Sequence, residues 1–189
     1  MLISKFDNVN IEQNINDFEQ KYNIQIPEQY REFLLIYNGG ETLKTEFKSK
    51  KISSDIIGFY GLGSAEKDYN YSFFEETGTL IDYLEDDMLP ITSNLLGDHI
   101  MIRLSNENLG KIYFYYHDQP KKYIEITEDF KTFVSKCESE ELGHIMTIEE
   151  RTKLATEKGH GKKIPKLMPI WQAEIDRFSN VIQEELILE

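Results

Sequence analysis

The sequence predicts an α+β fold: an N-terminal helix pair packed on a mostly antiparallel meander sheet, a closing helix, and beyond them a C-terminal helical extension. Three observations carry this. Apolar residues recur at i, i+3, i+4 and i+7 in two segments before residue 40. Between residues 100 and 126 they alternate with a period of two. After residue 137 the pattern changes again, to a long amphipathic stripe behind a Gly- and Lys-rich connection.

The first helix is expected over 11–22. Asn10 with Gln13 has the form of a capping box, and Ile11, Ile15, Phe18 and Tyr22 follow on one stripe. The second lies in IPEQYREFLLIYNGGE, residues 26–41. Pro27 suits a first helical position, Tyr30, Phe33, Leu34 and Tyr37 share a face, and Asn38-Gly39-Gly40 supplies the left-handed residue that ends a helix. Nothing in that stretch is reactive, so its task is structural: the stripe buries and the glycines turn the chain into a strand.

Short strand-like segments come next, at 42–48 and 56–60, before the glycine-punctuated FYGLGS. An acid- and aromatic-rich region follows, with a helix expected around 78–86. Leu89-Pro90-Ile91 restarts regular structure; 100–104 and 111–118 form a hairpin across the turn 105–111, and 123–126 adds an antiparallel strand. Phe130, Phe133, Val134 and Cys137 return to helical spacing, with Thr127 or Glu128 near the start. In the extension, Thr147 and Glu150 form a second capping box, KGHGKKIPK connects, and Trp171, Ile175, Phe178, Ile182 and Leu186 predict a helix within 167–188. The expected division is therefore 1–137 for the domain and 138–189 for the extension packed on it. No internal repeat or low-complexity tract is visible.

Alternation divides the sheet into two faces. Ile100, Ile102, Leu104, Ile112, Phe114, Tyr116, Ile124 and Ile126 point one way, towards the helices. Met101, Arg103, Tyr113, Tyr115, Tyr123 and Glu125 point the other way, and so rich an aromatic face asks for a cover, either a partner or the Trp171 helix.

The 189 residues suffice for one core of ordinary size plus an appended element. Lys and Arg number 21 against 34 for Asp and Glu, a net charge of −13. Such a field repels nucleic acid and anionic lipid and favours encounter with a basic partner. With Cys137 as the single cysteine, no intrachain disulfide forms, and with neither a signal-like nor a membrane-spanning apolar run in view, a reducing cytoplasm is the expected compartment.

Three stretches taken together resemble the SUKH superfamily, the Smi and Knr type of cell-wall-regulator and bacterial immunity domain. They are IPEQYREFLLIYNGGE, the FYGLG turn, and MLPITSNLLGDHIMIRLSNENLGKIYFYYHD; EITEDFKTFVSKC is similar to the helix that closes such a domain. The likeness covers residues 1–137. It departs at Ser93-Asn94, where many relatives have Asp soon after the Pro-Ile step. The resemblance implies a non-enzymatic domain that in bacteria mostly binds and neutralises a cognate polymorphic or contact-dependent toxin, often a nuclease. It brings no catalytic set. A scaffold or regulator of the same fold, binding an endogenous protein, is the alternative.

No catalytic, cofactor-binding or metal-ligating residues are expected. His99, His117, His144 and His160 lack ligand spacing, and neighbours on a strand such as His117 and Asp118 point apart. Cys137 sits on an apolar stripe without a base, and Gly61-Leu62-Gly63 has neither a third glycine nor a βαβ unit around it. Lys158, Lys162, Lys163 and Lys166 read as a solvated linker, although such a cluster also suits phosphate or a partner's acidic patch. The partner surface is expected at the acid cluster Glu75, Glu76, Asp82, Glu85, Asp86 and Asp87, with Arg103, Tyr113 and Tyr115 of the second sheet face. Carboxylates there would occupy positions that a basic toxin reserves for phosphates.

Overall fold

The first element of the chain is a strand that no sequence pattern announced. In the computed structural model, which describes residues 1–188 apart from the side chain of Asn106, β1 (Leu2–Lys5) precedes α1 (Ile11–Tyr22) and α2 (Glu28–Tyr37). Both helices follow their stripes: Ile11, Ile15 and Phe18 are buried from α1, and Tyr30, Phe33, Leu34 and Tyr37 from α2. The capping box expected at Asn10 does not form. Its backbone is left-handed at φ 57, and its side chain makes no cap bond, because capping needs an extended backbone at that position. Gln13 donates instead to Asp17 at 2.6 Å.

At the end of α2, Asn38 takes φ 50 and Gly39 φ 81. The fully buried Asn38 side chain is the hub of the junction. Its amide donates to the Asp7 carbonyl at 2.6 Å and the Leu62 carbonyl at 2.9 Å, while its Oδ1 accepts from the Leu62 N–H at 2.9 Å. A Cβ on Gly61 would collide with the Asn38 carbonyl. NGG and FYGLG are thus two halves of one contact, each glycine admitting the other's backbone.

Among the described residues, nine strands form one antiparallel sheet. After β1 come β2 (Gly40–Lys48), β3 (Ser53–Phe59), β4 (Met88–Ser93), β5 (His99–Arg103), β6 (Ile112–Tyr115), β7 (Tyr123–Thr127), β8 (Cys137–Ser139) and β9 (Glu184–Glu185). Their order is β7-β6-β5-β4-β3-β2-β1-β9, with β8 on β2. β2 pairs with β1 near its start (Lys5 opposite Gly40) and with β8 at its end (Phe47 opposite Cys137). An irregularity between Glu41 and Thr45, where Lys44 has φ 51, separates these pairings.

Between β3 and β4 lie α3 (Tyr71–Thr77) and α4 (Thr79–Glu85), of which only the second was expected. α5 (Phe130–Ser135) closes the domain. It is capped by Asp129, whose carboxylate accepts from the Thr132 N–H at 2.7 Å, rather than by Thr127 or Glu128. Cys137 is on β8 instead of the α5 stripe; burial satisfies an apolar sulfur in either element, so spacing alone could not separate them.

One core joins the helices to a sheet face built, as alternation requires, on Ile100, Ile102, Ile112 and Phe114. Phe33 is its centre, with the rings of Tyr30, Phe59 and Phe130 at 5.6, 5.0 and 5.2 Å.

The chain divides into two compact units, Met1–Glu141 with Glu184–Glu189, and Leu142–Gln183. The second holds α6 (Ile148–Glu157), whose capping box forms as expected between Thr147 and Glu150, and α7 (Ile164–Phe178). α7 ends at Phe178, so the expected five-residue stripe is cut: Ile182 is 80% exposed beyond the helix. Leu186 is buried instead within the first unit, where its N–H donates to the Met1 carbonyl at 2.9 Å. The open edge of β1 offers that segment backbone partners that a longer helix would forgo.

Candidate functional site

Gly78, left-handed at φ 77, breaks the chain between α3 and α4 and lets α4 swing. Leu80 of α4 is fully buried in the main core, and Tyr83 reaches the opposite sheet face. Asp82 and Glu85 are exposed, and Asp86 ends the helix. Asp87, at φ 56, then turns the chain into β4. Spacings of three and four bring Asp82, Glu85 and Asp86 to one side.

That side faces the end of the β6–β7 hairpin. Asp82, Tyr83, Glu85, Asp86, Tyr115 and Tyr123 line a concavity of about 370 Å³, completed by Thr79 and by Pro120 and Lys121 of the hairpin turn. The Tyr83 ring meets Tyr115 edge-on at 5.6 Å, and Tyr115 lies 5.3 Å from Tyr123. Tyr123 Oη donates to Asp86 Oδ2 at 2.8 Å, while Arg103 Nη1 donates to the Asp86 carbonyl at 2.8 Å. Asp86 is therefore held from both sides.

The tyrosines stay neutral. Burial, then the neighbouring Tyr115 and Asp82, pushes the Tyr83 hydroxyl up to about 12. Tyr115 is raised by burial and then by Asp86 and Asp82, and Tyr123 by burial and then by its bond to Asp86. Neutral aromatic walls beneath acidic groups, of which Asp86 is held in place, suit a cation: a guanidinium or ammonium gains from ring faces and carboxylates together.

Four of the residues expected at the partner surface, Asp82, Glu85, Asp86 and Tyr115, thus come together, and the structure adds Tyr83 and Tyr123. The others do not line the concavity. Glu75 accepts from Tyr22 Oη at 2.8 Å and pairs with Lys21 at 2.9 Å, in a separate depression beside α1; Glu76 is exposed on α3. Asp87 shapes the turn, its carbonyl accepting from the Leu104 N–H at 2.9 Å. Arg103 lies over the Tyr113 ring at 5.4 Å. The second sheet face is aromatic, as alternation requires, but Tyr113 and Tyr115 are only 8% and 9% exposed, in a small cluster with Met88 and Met101 against which Tyr83 packs. The signal for Tyr83 was present in TLIDYLED, where it occupies the helical position three after Leu80.

His117, His99 and Cys137 are engaged in the fold. His117 Nδ1 lies 2.8 Å from Asp98 Oδ1, so its carboxylate partner is Asp98 rather than the adjacent Asp118. Burial works to raise the Asp98 carboxyl, but bonds from the His117 side chain and backbone N–H and from Asn94 outweigh it and hold it below the usual range. His99, set among Phe74, Tyr83 and Tyr60, is driven down to about 4 by burial. Burial pushes the Cys137 thiol up to about 12, the reverse of what a nucleophile needs. Among the described residues there is no group of three or more His, Cys, Asp or Glu placed to hold a metal, and no helix long and apolar enough to cross a membrane.

Residues 11–136 match the SMI1 / KNR4 family (SUKH-1). That span runs from α1 through α5 and includes the Asn38–Gly61 junction and the whole acid–tyrosine concavity. A protein of Bacillus subtilis (strain 168) described as the SPbeta prophage-derived uncharacterized protein YokK is 26% identical over 153 residues, which cover 69% of this chain and 76% of that one.

Proposed function

Because the chain belongs to the SMI1 / KNR4 family (SUKH-1), we propose that it is an immunity protein that binds a cognate bacterial toxin and neutralises it by covering a basic surface. The observation that carries the reading is the concavity, in which Asp82, Glu85 and Asp86 surround walls of Tyr83, Tyr115 and Tyr123. An Arg or Lys of the toxin enters the concavity over the rings and meets the carboxylates of Asp82, Glu85 and Asp86, the last held in place by Tyr123. Such an anchor contributes about 0.5–2 kcal/mol from the rings alone. Tight inhibition needs about 800 Å² from each partner, so the contact extends beyond the concavity. Phe73 and Ile81, 46% and 55% exposed on α3 and α4, supply apolar area. A relative described as prophage-derived supports a role carried on mobile DNA.

Neutralisation of this kind is stoichiometric and breaks no bond. The test joins Asp82→Lys with Glu85→Lys, both exposed and both free of a structural task in α4. Against an inactivated form of the toxin encoded beside the gene, association slows at least about tenfold and growth protection is lost, while circular dichroism is unchanged. Unaltered affinity removes the concavity from the interface. The absence of any toxin reading frame beside the gene removes the immunity reading itself and favours a scaffold.

A further inference from the structure

The unit Leu142–Gln183 differs in charge from the rest of the chain. It holds 7 Lys and Arg against 5 Asp and Glu, leaving 14 against 29 for all other residues. Its helices α6 and α7 are clamped by Arg151, which donates to both carboxylate oxygens of Glu174, at 2.9 and 3.1 Å, and to the Met146 carbonyl at 2.9 Å. Beside the clamp runs a groove of about 620 Å³. Ile145, Met146, Leu154, Leu167 and Trp171 make its apolar lining, and Lys158, His160 and Lys163 its basic rim.

Two helices cannot seal a core. Among the described residues of this unit only Ala155 is buried, and Leu154, in the groove, is 38% exposed. Most helical stability comes from covering an apolar face, and within this unit the pair has no third layer. The rim specifies its charge: among the described residues neither Lys158 nor Lys163 takes part in an ion pair, whereas Arg151 is already spent on Glu174. We propose that this groove is a docking site for an acidic amphipathic helix of a second protein, its apolar stripe over Leu154 and Trp171 and its carboxylates on Lys158 and Lys163. This surface lies outside the family match and has the opposite charge preference from the concavity, so it recruits a partner other than the toxin.

Trp171 is the only tryptophan of the chain and lies in the groove, so its emission reports occupancy. The probe is a synthetic helical peptide of about five turns with Leu at helical spacing and Glu on the flanks, set against the same peptide with Lys for every Glu. With the full chain, the Glu peptide shifts Trp171 emission to the blue and saturates; it binds at least about tenfold more weakly to a Lys158→Glu, Lys163→Glu variant and loses affinity as salt rises. Both substitutions are at exposed positions and leave the circular dichroism unchanged. The proposal is overturned by the absence of a saturable shift, by an equal response to the Lys peptide, or by a shift that grows with protein concentration alone, which would make a second copy the occupant. Asp82→Lys, Glu85→Lys leaves the peptide response intact.

Discussion

Asn38 shows how much one side chain decides. Its three hydrogen bonds tie the loop before α1 and the turn after β3 to the end of α2, from a residue that is itself fully buried. Removing them strands the Leu62 N–H and takes one donor from each of the Asp7 and Leu62 carbonyls, which keep Ser64 and Ala65, at about 1 kcal/mol for each bond lost. Asn38→Gly, which tolerates φ 50, loses about 3 kcal/mol in urea unfolding, and Asn38→Ala about 1 kcal/mol more for left-handed strain. His99 acts through protons. Its folded value of about 4 lies below the ordinary 6.5, so below pH 6.5 the unfolded chain takes up a proton that the folded chain refuses. Stability therefore falls as pH drops from 6.5 to 4, by about 3 kcal/mol in all. Asp98, also held low, extends the loss in the same direction at more acid pH, as protonation breaks its bonds to His117 and Asn94. In His99→Gln the slope between pH 6.5 and 4 flattens while the Asp98 limb stays, as unfolding at a series of pH values reports.

Among the elements, helices follow their apolar stripes and the errors fall at their ends. α1 and α2 lie where spacing puts them, because a stripe several turns long has one way to bury, and α6 begins at its capping box. Ends depend on single backbone conformations: Asn10 looks like a cap and is left-handed, while Asp129, unremarked beside Thr127 and Glu128, caps α5. Asp129→Ala costs about 1 kcal/mol of stability, measured by denaturant unfolding, and Asp129→Asn, which retains an acceptor, restores most of it. The short strands β1, β8 and β9 have no alternation long enough to read, and they exist because β2 and β1 have edges to fill.

On the scale of the molecule, the end of the chain returns to its start. β9 lies on β1, Leu186 is buried, and the Tyr37 hydroxyl accepts from the Ile187 N–H at 2.9 Å. Deleting 184–189 uncovers that edge and loses about 3 kcal/mol, from one buried leucine and its hydrogen bonds. Thermal unfolding shows the loss as a lower midpoint. The candidate site divides in the same way between near and far. An acid cluster on α4 is legible because Asp82, Glu85 and Asp86 are neighbours in sequence. Tyr115, Tyr123 and Pro120 reach it only through the hairpin of β6 and β7, and Glu75, equally acidic, turns away to Lys21 and Tyr22.

By itself the sequence determined the α+β class, the two sheet faces and the helix stripes, which rest on periodic burial repeated within a few turns or one hairpin, and the family likeness, which rests on particular residues in IPEQYREFLLIYNGGE, FYGLG and the stretch from Met88 to Asp118. Tertiary structure alone decided which acids share a wall with tyrosines, that NGG and FYGLG form one junction, and that the last residues become a strand. Those outcomes turn on contacts between segments far apart in the chain, whose geometry is set by packing and by the demand that every buried backbone group find a partner.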